Sequence, residues 1–453
     1  MNGNSLTVEN ARPTNVRWCV FSLAFATSAL LYLHRYVFGF IKPILAKEWG
    51  LTTIELGEID TAFSVCYTGF QFPLAVCADA FGVHLVMTGL MIVWMSGLAI
   101  MSSASSFVWM WYAQAVLGAG QSAVYACISR IANTWFPPAI RTTLQGVVGI
   151  LAGRLGALGA SLIFTTLMLG MWGLDWRTAL WIHVASGVVL IVLFAVLFRS
   201  TPRQHPRANL AEAELIEGAT GSTVFQPPAV SGRITVRQML RTVSPRSFLN
   251  LMFLSVQSLL STFADNVFSN WIPLFLFQVH HLEFKKMGIY AALPLLGGAV
   301  SGLVGGILND YLIAATGNRR WTRVAIGCGG KGMAAVLLFL AFNSYDDPYL
   351  FCIYLFWVKL FSDCGLTTAW GVVTDIGGRA TASVFALNNS IAGIGQIVAP
   401  IIFATVAEFY GWRSVFVLVI VAYVLCAISW LFINCTIPVL GEVANAENDA
   451  ETP

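Results

Sequence analysis

Long apolar runs alternate with short polar connections along nearly the whole chain. A helix needs about 20 apolar residues to cross the hydrocarbon core of a bilayer, and the runs reach that length. We count about twelve of them, near residues 16–43, 55–78, 83–104, 107–136, 142–170, 177–199, 247–278, 286–311, 322–343, 347–374, 381–407 and 412–434. This pattern predicts an all-α integral membrane protein with twelve transmembrane helices.

One long polar segment interrupts this pattern between the sixth and seventh runs. It is rich in arginine, and its middle of Gly, Ala, Ser and Pro is typical of a flexible connection. The predicted domains are an N-terminal segment, a six-helix half, a central loop, a second six-helix half and an acidic tail, over 1–15, 16–199, 200–246, 247–434 and 435–453.

The two halves repeat one another in sequence. "IELGEID" at 54–60 resembles "FKKMGIY" at 284–290, and "DWRTALWI" at 175–182 resembles "GWRSVFVL" at 411–418. Two further pairs, "KPIL" with "IPLF" and "AVCADAFG" with "GILNDYLI", fall at similar offsets of about 230 to 238 residues. Four pairs in the same order predict parallel repeats, which place a substrate site between the halves near the bilayer midplane.

Lysine and arginine are distributed unevenly over the polar connections. Alternate connections carry Arg12, Arg17, Arg141, the central arginines Arg203, Arg207, Arg233, Arg237, Arg241 and Arg246, then Arg319, Arg320, Arg323 and Arg379. The opposite set is poorer and holds Lys47, Arg177, Lys285, Lys286 and Arg413. Because cytoplasmic loops carry the excess of positive residues, both termini and the central loop are predicted to be cytoplasmic.

Composition narrows the function classes. The chain is 57% hydrophobic and 10% charged, whereas soluble domains are about a quarter charged. The net charge of +3 does not favour a nucleic-acid partner. The nine cysteines form no CxxC pair, and neither a G-x-x-x-x-G-K-[ST] phosphate loop nor a G-x-S-x-G elbow occurs. We therefore expect no cofactor, no bound metal and no ATP hydrolysis by this chain alone.

Charges inside the apolar runs are the candidates for function, because a charge at mid-membrane is costly unless it faces a cavity or a partner. On the first run, Arg35 and Lys42 share a helical face with Leu31 and Phe38. Arg35 lies deep and is predicted to line a central cavity, with a structural ion pair as the alternative. Lys42 is near the outer end and is predicted to extend its ammonium group to the membrane surface.

Two more arginines lie within the first half. Arg130 precedes "WFPP" in the fourth run, where substrate contact and extension towards the cytoplasmic surface are alternatives. Arg154 lies in "LAGRLGALGAS", and its glycine neighbours indicate close helix packing. Bracing of helices and substrate contact are equal alternatives for Arg154. Glu58 and Asp60 open the second run and are predicted to be interfacial.

The second half combines an acid–base pair with amides. Lys359 and Asp363 are four residues apart and can pair, either permanently or as a gate released by substrate or proton. Lys331 and Asp265 are further charges within runs. The amide side chains in these runs can bind substrate hydroxyls or join helices, and they are Asn266, Asn270, Asn388, Asn389 and Gln396.

The balance of deep charges is informative. The cations are Arg35, Arg130, Arg154, Lys331 and Lys359, and they outnumber the acids Asp265 and Asp363. A cavity with surplus positive charge is suited to an anion, above all a carboxylate that arginine can bind through two hydrogen bonds.

Several stretches resemble one known family. They are "YLHRYVFG" in the first run, "GFQFPLAVCADAFG" closing the second, "RIANTWFPPAIRTTLQG" after the fourth, "GRLGA" in the fifth, "MGIYAALPLLGGAVSGLVGGILNDYL" around the eighth and "AWGVVTDIGGRATASVFALNN" into the eleventh. From about 16 to 435 the chain resembles the major facilitator superfamily, specifically its anion:cation symporter branch. That branch includes bacterial transporters of hexuronates, sugar acids and other organic anions.

The resemblance implies roles for particular residues. Arg35 and Arg130 match positions that bind the substrate carboxylate in this branch. Asp79 and Gly82 match a cytoplasmic loop motif between the second and third helices, and Asp310 matches its repeat. In that motif the acid caps and pairs with a neighbouring helix and so latches the inward-closed state.

The chain departs from the branch at two points. The residue before the first-helix arginine is usually acidic and is implicated in proton coupling, whereas here it is His34. The loop motif normally continues with arginines, whereas "DAFGVH" has Ala80, Val83 and His84. The first departure concerns the coupling ion, and the second weakens the latch.

The sequence thus predicts a secondary active transporter of a small organic anion, working as a monomer in the bacterial inner membrane by rocker-switch alternating access. Proton coupling through His34 and Asp363 is the default hypothesis, with sodium as the other coupling ion. A phosphate-ester or inorganic-anion antiporter, or a non-transporting sensor or assembly protein, is the alternative. A membrane-embedded enzyme is disfavoured because no nucleophile–base set is present.

Overall fold

The computed structural model describes residues 13–218, 245–377 and 381–439. Arg12, Arg379, the central arginines Arg233, Arg237 and Arg241 and residues 440–453 of the acidic tail lie outside the described residues. In the described ranges the structure is helical throughout, with short connections, as the apolar pattern predicts.

The first half contains eight α-helices and the described part of the central loop a ninth. They are α1 (Val16–Trp49), α2 (Thr53–Phe81), α3 (Val83–Ser103), α4 (Phe107–Gln121), α5 (Val124–Trp135), α6 (Pro138–Gly146), α7 (Gly153–Gly159), α8 (Trp176–Leu197) and α9 (Leu210–Gly218). The second half contains α10 (Pro245–Asn270), α11 (Ile272–His280), α12 (Phe284–Thr316), α13 (Arg319–Ala341), α14 (Pro348–Gly377), α15 (Thr381–Tyr410) and α16 (Trp412–Phe432).

Eleven of the described helices are long and apolar enough to cross a membrane, by length and composition. The fourth predicted run does not form one helix, because α4 ends at Gln121 and α5 begins at Val124. At this interruption the Ser122 N–H and hydroxyl both donate to the carbonyl of Ala119. Together α4 and α5 cover the fourth run, so the twelve-helix fold stands.

The fifth run is continuous from Leu144 to Met171 and includes π-helical stretches on both sides of α7. A Cβ at Gly156 would collide with the carbonyl of Ala29, and one at Gly153 would lie 2.8 Å from the ring of Tyr32. Glycine at these positions therefore lets α7 lie directly against α1. The close packing predicted around Arg154 is confirmed.

The repeat is visible in the helix boundaries. α2 begins at Thr53, one residue before the first segment of the first repeated pair, and α12 begins at Phe284, the first residue of the second segment. α8 and α16 both begin at the tryptophan of the "WR" dipeptide shared by the last pair, Trp176 and Trp412.

The described residues pack into two compact units. Unit 1 comprises residues 13–35, 62–160 and 173–218, and unit 2 comprises 36–61, 161–172, 245–377 and 381–439. Unit 2 thus contains the end of α1, the start of α2 and the last turns of the fifth span together with the second half.

The central loop contributes a cap to unit 1. Glu212 of α9 is fully buried and its carboxylate accepts the backbone N–H groups of Val16 and Arg17, at 3.3 and 3.0 Å. A carboxylate at a helix N-terminus accepts hydrogen bonds from unpaired backbone donors and interacts favourably with the positive end of the helix dipole. The described part of the loop therefore fixes the start of α1.

Candidate functional site

Arg35 of α1 is half-buried in unit 1, and three aromatic rings lie against its guanidinium group. Its guanidinium carbon lies 4.4 Å from the ring centroid of Tyr67 and 5.1 Å from that of Phe63, both on α2. The ring of Tyr32, one turn earlier on α1, is 5.2 Å away. Aromatic faces attract a cation through their quadrupole without cancelling its formal charge. The arrangement is suited to a cation that must bind an anion.

Gln121 orients this arginine from the interruption between α4 and α5. Its side-chain oxygen accepts the Arg35 Nε–H at 3.2 Å, and its NH₂ group donates to the carbonyl of Leu31 at 3.2 Å. Gln121 is fully buried, and it holds Arg35 through one hydrogen bond while its other end is tied to the same helix. The Nε–H of Arg35 is therefore occupied by Gln121.

His34 lies in a different environment from Arg35. It is fully buried, and its Nδ1 accepts the Trp94 Nε1–H at 3.1 Å. The ring of His183 is 5.5 Å away, edge to face. An Nδ1 that accepts a hydrogen bond implies the neutral imidazole with its proton on Nε2. In this structure His34 is therefore a neutral hydrogen-bond acceptor.

Arg130 and Asp79, predicted as a carboxylate ligand and a latch acid, are ion-paired with each other. The Asp79 side chain is 72% exposed and the Arg130 side chain 34% exposed. The pair joins the end of α2 to α5 within unit 1. Gly82 follows at the start of α3 with a φ of 85°, a left-handed conformation that favours glycine. Asp310 is exposed on α12 and accepts a hydrogen bond from Asn309.

The prediction for Lys42 and Asp60 was wrong. Both were expected at the membrane surface, but Lys42 is fully buried and forms an ion pair with the buried Asp60 of α2. The Lys42 ammonium also donates to the last carbonyl of α10, that of Asn270, at 3.1 Å, and lies 3.6 Å from the Trp271 ring. A cation at a helix C-terminus satisfies an unpaired carbonyl, and here it comes from another helix of unit 2.

A network of charges occupies the interior of unit 2. Lys359 donates to Asp363 at 2.7 Å, so the pair predicted from their spacing is formed. The same ammonium donates to Asp265 at 2.9 Å, and the Tyr423 hydroxyl donates to that carboxylate at 2.8 Å. Lys331 donates to Ser261 at 2.7 Å and lies 3.8 Å from Asp265.

The predicted substrate-binding amides are placed unequally. Asn266 is buried and Asn270 and Gln396 are half-buried, whereas Asn389 is exposed and its neighbour Asn388 is buried. The side-chain oxygens of Asn266 and Asn388 are buried without a hydrogen-bond partner in the part of the chain that the structure describes. Arg154 is half-buried on α7.

Sequence reasoning missed three contributors. Gln121 is an amide within an apolar run, a signal that could have been followed, whereas Tyr67 and Tyr423 carry no such signal in the sequence.

The expected cation surplus also needs revision. In unit 2 the two lysines face the two acids Asp265 and Asp363, and Arg130 faces Asp79. These ion pairs compensate part of the predicted cation surplus.

The chain matches a family model described as the Major Facilitator Superfamily over residues 24–376. A protein of Cupriavidus necator named as a probable sulfoacetate transporter is 25% identical over 383 residues, 84% of this chain and 84% of that protein. An Escherichia coli protein named as a probable galactarate/D-glucarate transporter is 23% identical over 441 residues, 94% of this chain and 96% of that protein.

Among solved structures, one described as the crystal structure of a D-xylose-proton symporter superposes with a TM-score of 0.69. Its sequence is 13% identical, and the superposition covers 92% of this chain and 98% of that chain. At this identity the likeness concerns the fold alone.

Proposed function

Since the chain belongs to the major facilitator superfamily, on its anion:cation symporter branch, we propose that it is a secondary active transporter of a small organic anion. It is a multi-pass membrane protein and not an enzyme. We further propose that it carries the anion together with a proton, by rocker-switch alternating access. We assign it to a bacterial inner membrane, with the termini on the cytoplasmic side.

The observation that carries the proposal is the environment of Arg35. The arginine lies against three aromatic rings and one amide oxygen, and these four groups orient it while adding no negative charge of their own. A guanidinium fork binds a carboxylate through two parallel hydrogen bonds. We assign Arg35 as the principal carboxylate ligand and Arg154 as a supporting cation, with Arg130 acting through its pair with Asp79.

The amides of unit 2 favour a substrate that carries hydroxyl groups. Asn266 and Asn388 have buried oxygens without partners among the described residues, and a buried unsatisfied acceptor is costly. A ligand hydroxyl would satisfy each of them. Asn270 and Gln396 lie on the same two helices, α10 and α15, and complete the proposed hydroxyl-binding set. This favours a sugar acid over an acid without hydroxyls.

Uptake into proteoliposomes tests the proposal. Labelled galactarate, glucuronate and sulfoacetate are supplied with and without an inward proton gradient. We expect one of the sugar acids to accumulate, and to accumulate more when the outside is acidic. Exchange of sugar phosphates in place of acid accumulation would support the antiporter instead. Absence of counterflow with every compound would support a non-transporting sensor.

A further inference from the structure

The charge network of unit 2 lies deep in the membrane-spanning part of the protein. It consists of Asp265 on α10, Lys331 on α13, Lys359 and Asp363 on α14 and Tyr423 on α16, and we call it the charge centre. Four of these five residues lie near the middle of their helices. Ionisable groups at such depth are costly and are associated with ion or proton pathways.

Access to the charge centre is uneven. The Asp265 side chain is 27% exposed, whereas those of Lys331, Lys359 and Asp363 are 3 to 5% exposed. Of the two carboxylates of the charge centre, Asp265 is therefore the more accessible. Asp265 is also the group that joins the parts of the centre, because it contacts Lys331, Lys359 and Tyr423.

Protonation of Asp265 would release one positive charge. With all groups ionised, two lysines balance two aspartates and the centre is neutral. If Asp265 binds a proton, Lys359 still has Asp363 at 2.7 Å. Lys331 then loses the carboxylate at 3.8 Å and keeps the hydroxyl of Ser261. The centre thus gains one net positive charge for each proton bound, because the second carboxylate keeps Lys359 compensated.

We propose that the charge centre is the proton-coupling site of the transporter, with Asp265 as the proton acceptor. This inference rests on the proposed anion transport. The added positive charge strengthens anion binding, since charges interact strongly over distance in a low-dielectric interior. By reciprocity, a bound anion strengthens proton binding at Asp265 by the same factor. Proton and anion are therefore carried together.

The other titratable groups packed around α10 do not change the assignment of Asp265 as the proton acceptor. α13 presents Lys331 and Cys328, α14 presents Lys359 and Asp363, and α16 presents Tyr423 and Cys426. On the other elements of unit 2, the carboxylate of Glu408 accepts from the backbone N–H of Thr53, Lys42 and Asp60 pair with each other, and Tyr36 accepts from Ser269. Asp265 and Asp363 are carboxylates that contact the centre's lysines.

The first test compares wild type with Asp265→Asn, using galactarate as the probe. Wild-type affinity should tighten as pH falls, by up to about tenfold per pH unit, the limit for one linked proton. The Asn variant should bind with pH-independent affinity and keep counterflow, but lose accumulation driven by a proton gradient. The double variant Lys42→Met/Asp60→Asn is the matched control, since it removes another buried lysine–aspartate pair of unit 2, and it should keep the pH dependence.

A second, less disruptive substitution tests the same inference if Asp265→Asn does not fold. Tyr423→Phe removes one hydrogen bond to the ionised Asp265 and should move the midpoint of the affinity curve to higher pH. Tyr36→Phe is its control and should leave the midpoint unchanged. Wild-type pH dependence in Asp265→Asn, or an unmoved midpoint in Tyr423→Phe, would overturn the inference. If wild-type protein binds no organic acid at any pH, the proposed function itself fails, which is a distinguishable result.

Discussion

Two cations within the membrane-spanning helices of this protein are stabilised in opposite ways. Arg35 in unit 1 lies against three aromatic rings and the side-chain oxygen of Gln121. Lys359 in unit 2 lies between the carboxylates of Asp265 and Asp363. Rings and amides orient a cation and leave its charge available, whereas carboxylates cancel that charge. The first arrangement is suited to binding an anion and the second to responding to a proton.

Substitution of Lys42, whose charge is compensated by a carboxylate, is expected to cause the largest loss of thermal stability. Lys42→Met would leave Asp60 as a buried charge without its ammonium partner. Breaking a buried pair from one side costs about 3–5 kcal/mol, so we expect a large loss of thermal stability in detergent. The double variant Lys42→Met/Asp60→Asn should recover most of that loss. Equal melting temperatures for the single variant and wild type would show that the pair contributes nothing.

The pair between Asp79 and Arg130 should matter much less, because both side chains are substantially exposed. An exposed ion pair contributes about 0.2–1 kcal/mol. Asp79→Asn should therefore lower thermal stability slightly and change uptake by less than about fivefold. Asp310→Asn, at the equivalent exposed acid of the second half, serves as the control. A loss from Asp79→Asn as large as that from Lys42→Met would contradict the assignment of this pair to the surface.

His34→Gln should have the smallest effect on coupling. A glutamine oxygen can still accept the Trp94 Nε1–H, while its amide does not titrate between pH 5 and 8. If the proton is carried by Asp265, we expect proton-driven uptake within about twofold of wild type. Loss of the pH dependence with retained counterflow would assign the proton to His34 instead.

Much of the fold could be predicted because its signals are local. Apolar run length gave the spans, the repeated segments gave matching helix starts, and the spacing of Lys359 and Asp363 predicted their ion pair. The glycines around Arg154 predicted its close packing against α1. Each of these follows from residues a few positions apart on one helix.

The site could be predicted only in part, because its contacts join different helices. No spacing indicates that Lys42 meets Asp60, or that Asp265 lies near Lys331. The prediction that Lys42 reaches the membrane surface was wrong, because a long side chain near a helix end can extend to water or turn inward to a carboxylate. The partners of Arg35 likewise depend on where α4 is interrupted, which apolar run length does not show.

The central claim is that Arg35, oriented by three aromatic rings and by Gln121, binds the substrate carboxylate. Gln121→Glu tests this directly, since it keeps Arg35 and places a carboxylate where the amide oxygen now lies 3.2 Å from Nε. Galactarate affinity of the purified protein is measured for wild type, Gln121→Glu and Arg35→Lys. Hydrogen bonds to charged groups contribute about 1.5–3 kcal/mol, so both variants should bind at least about tenfold more weakly. Wild-type affinity in Gln121→Glu would contradict the account.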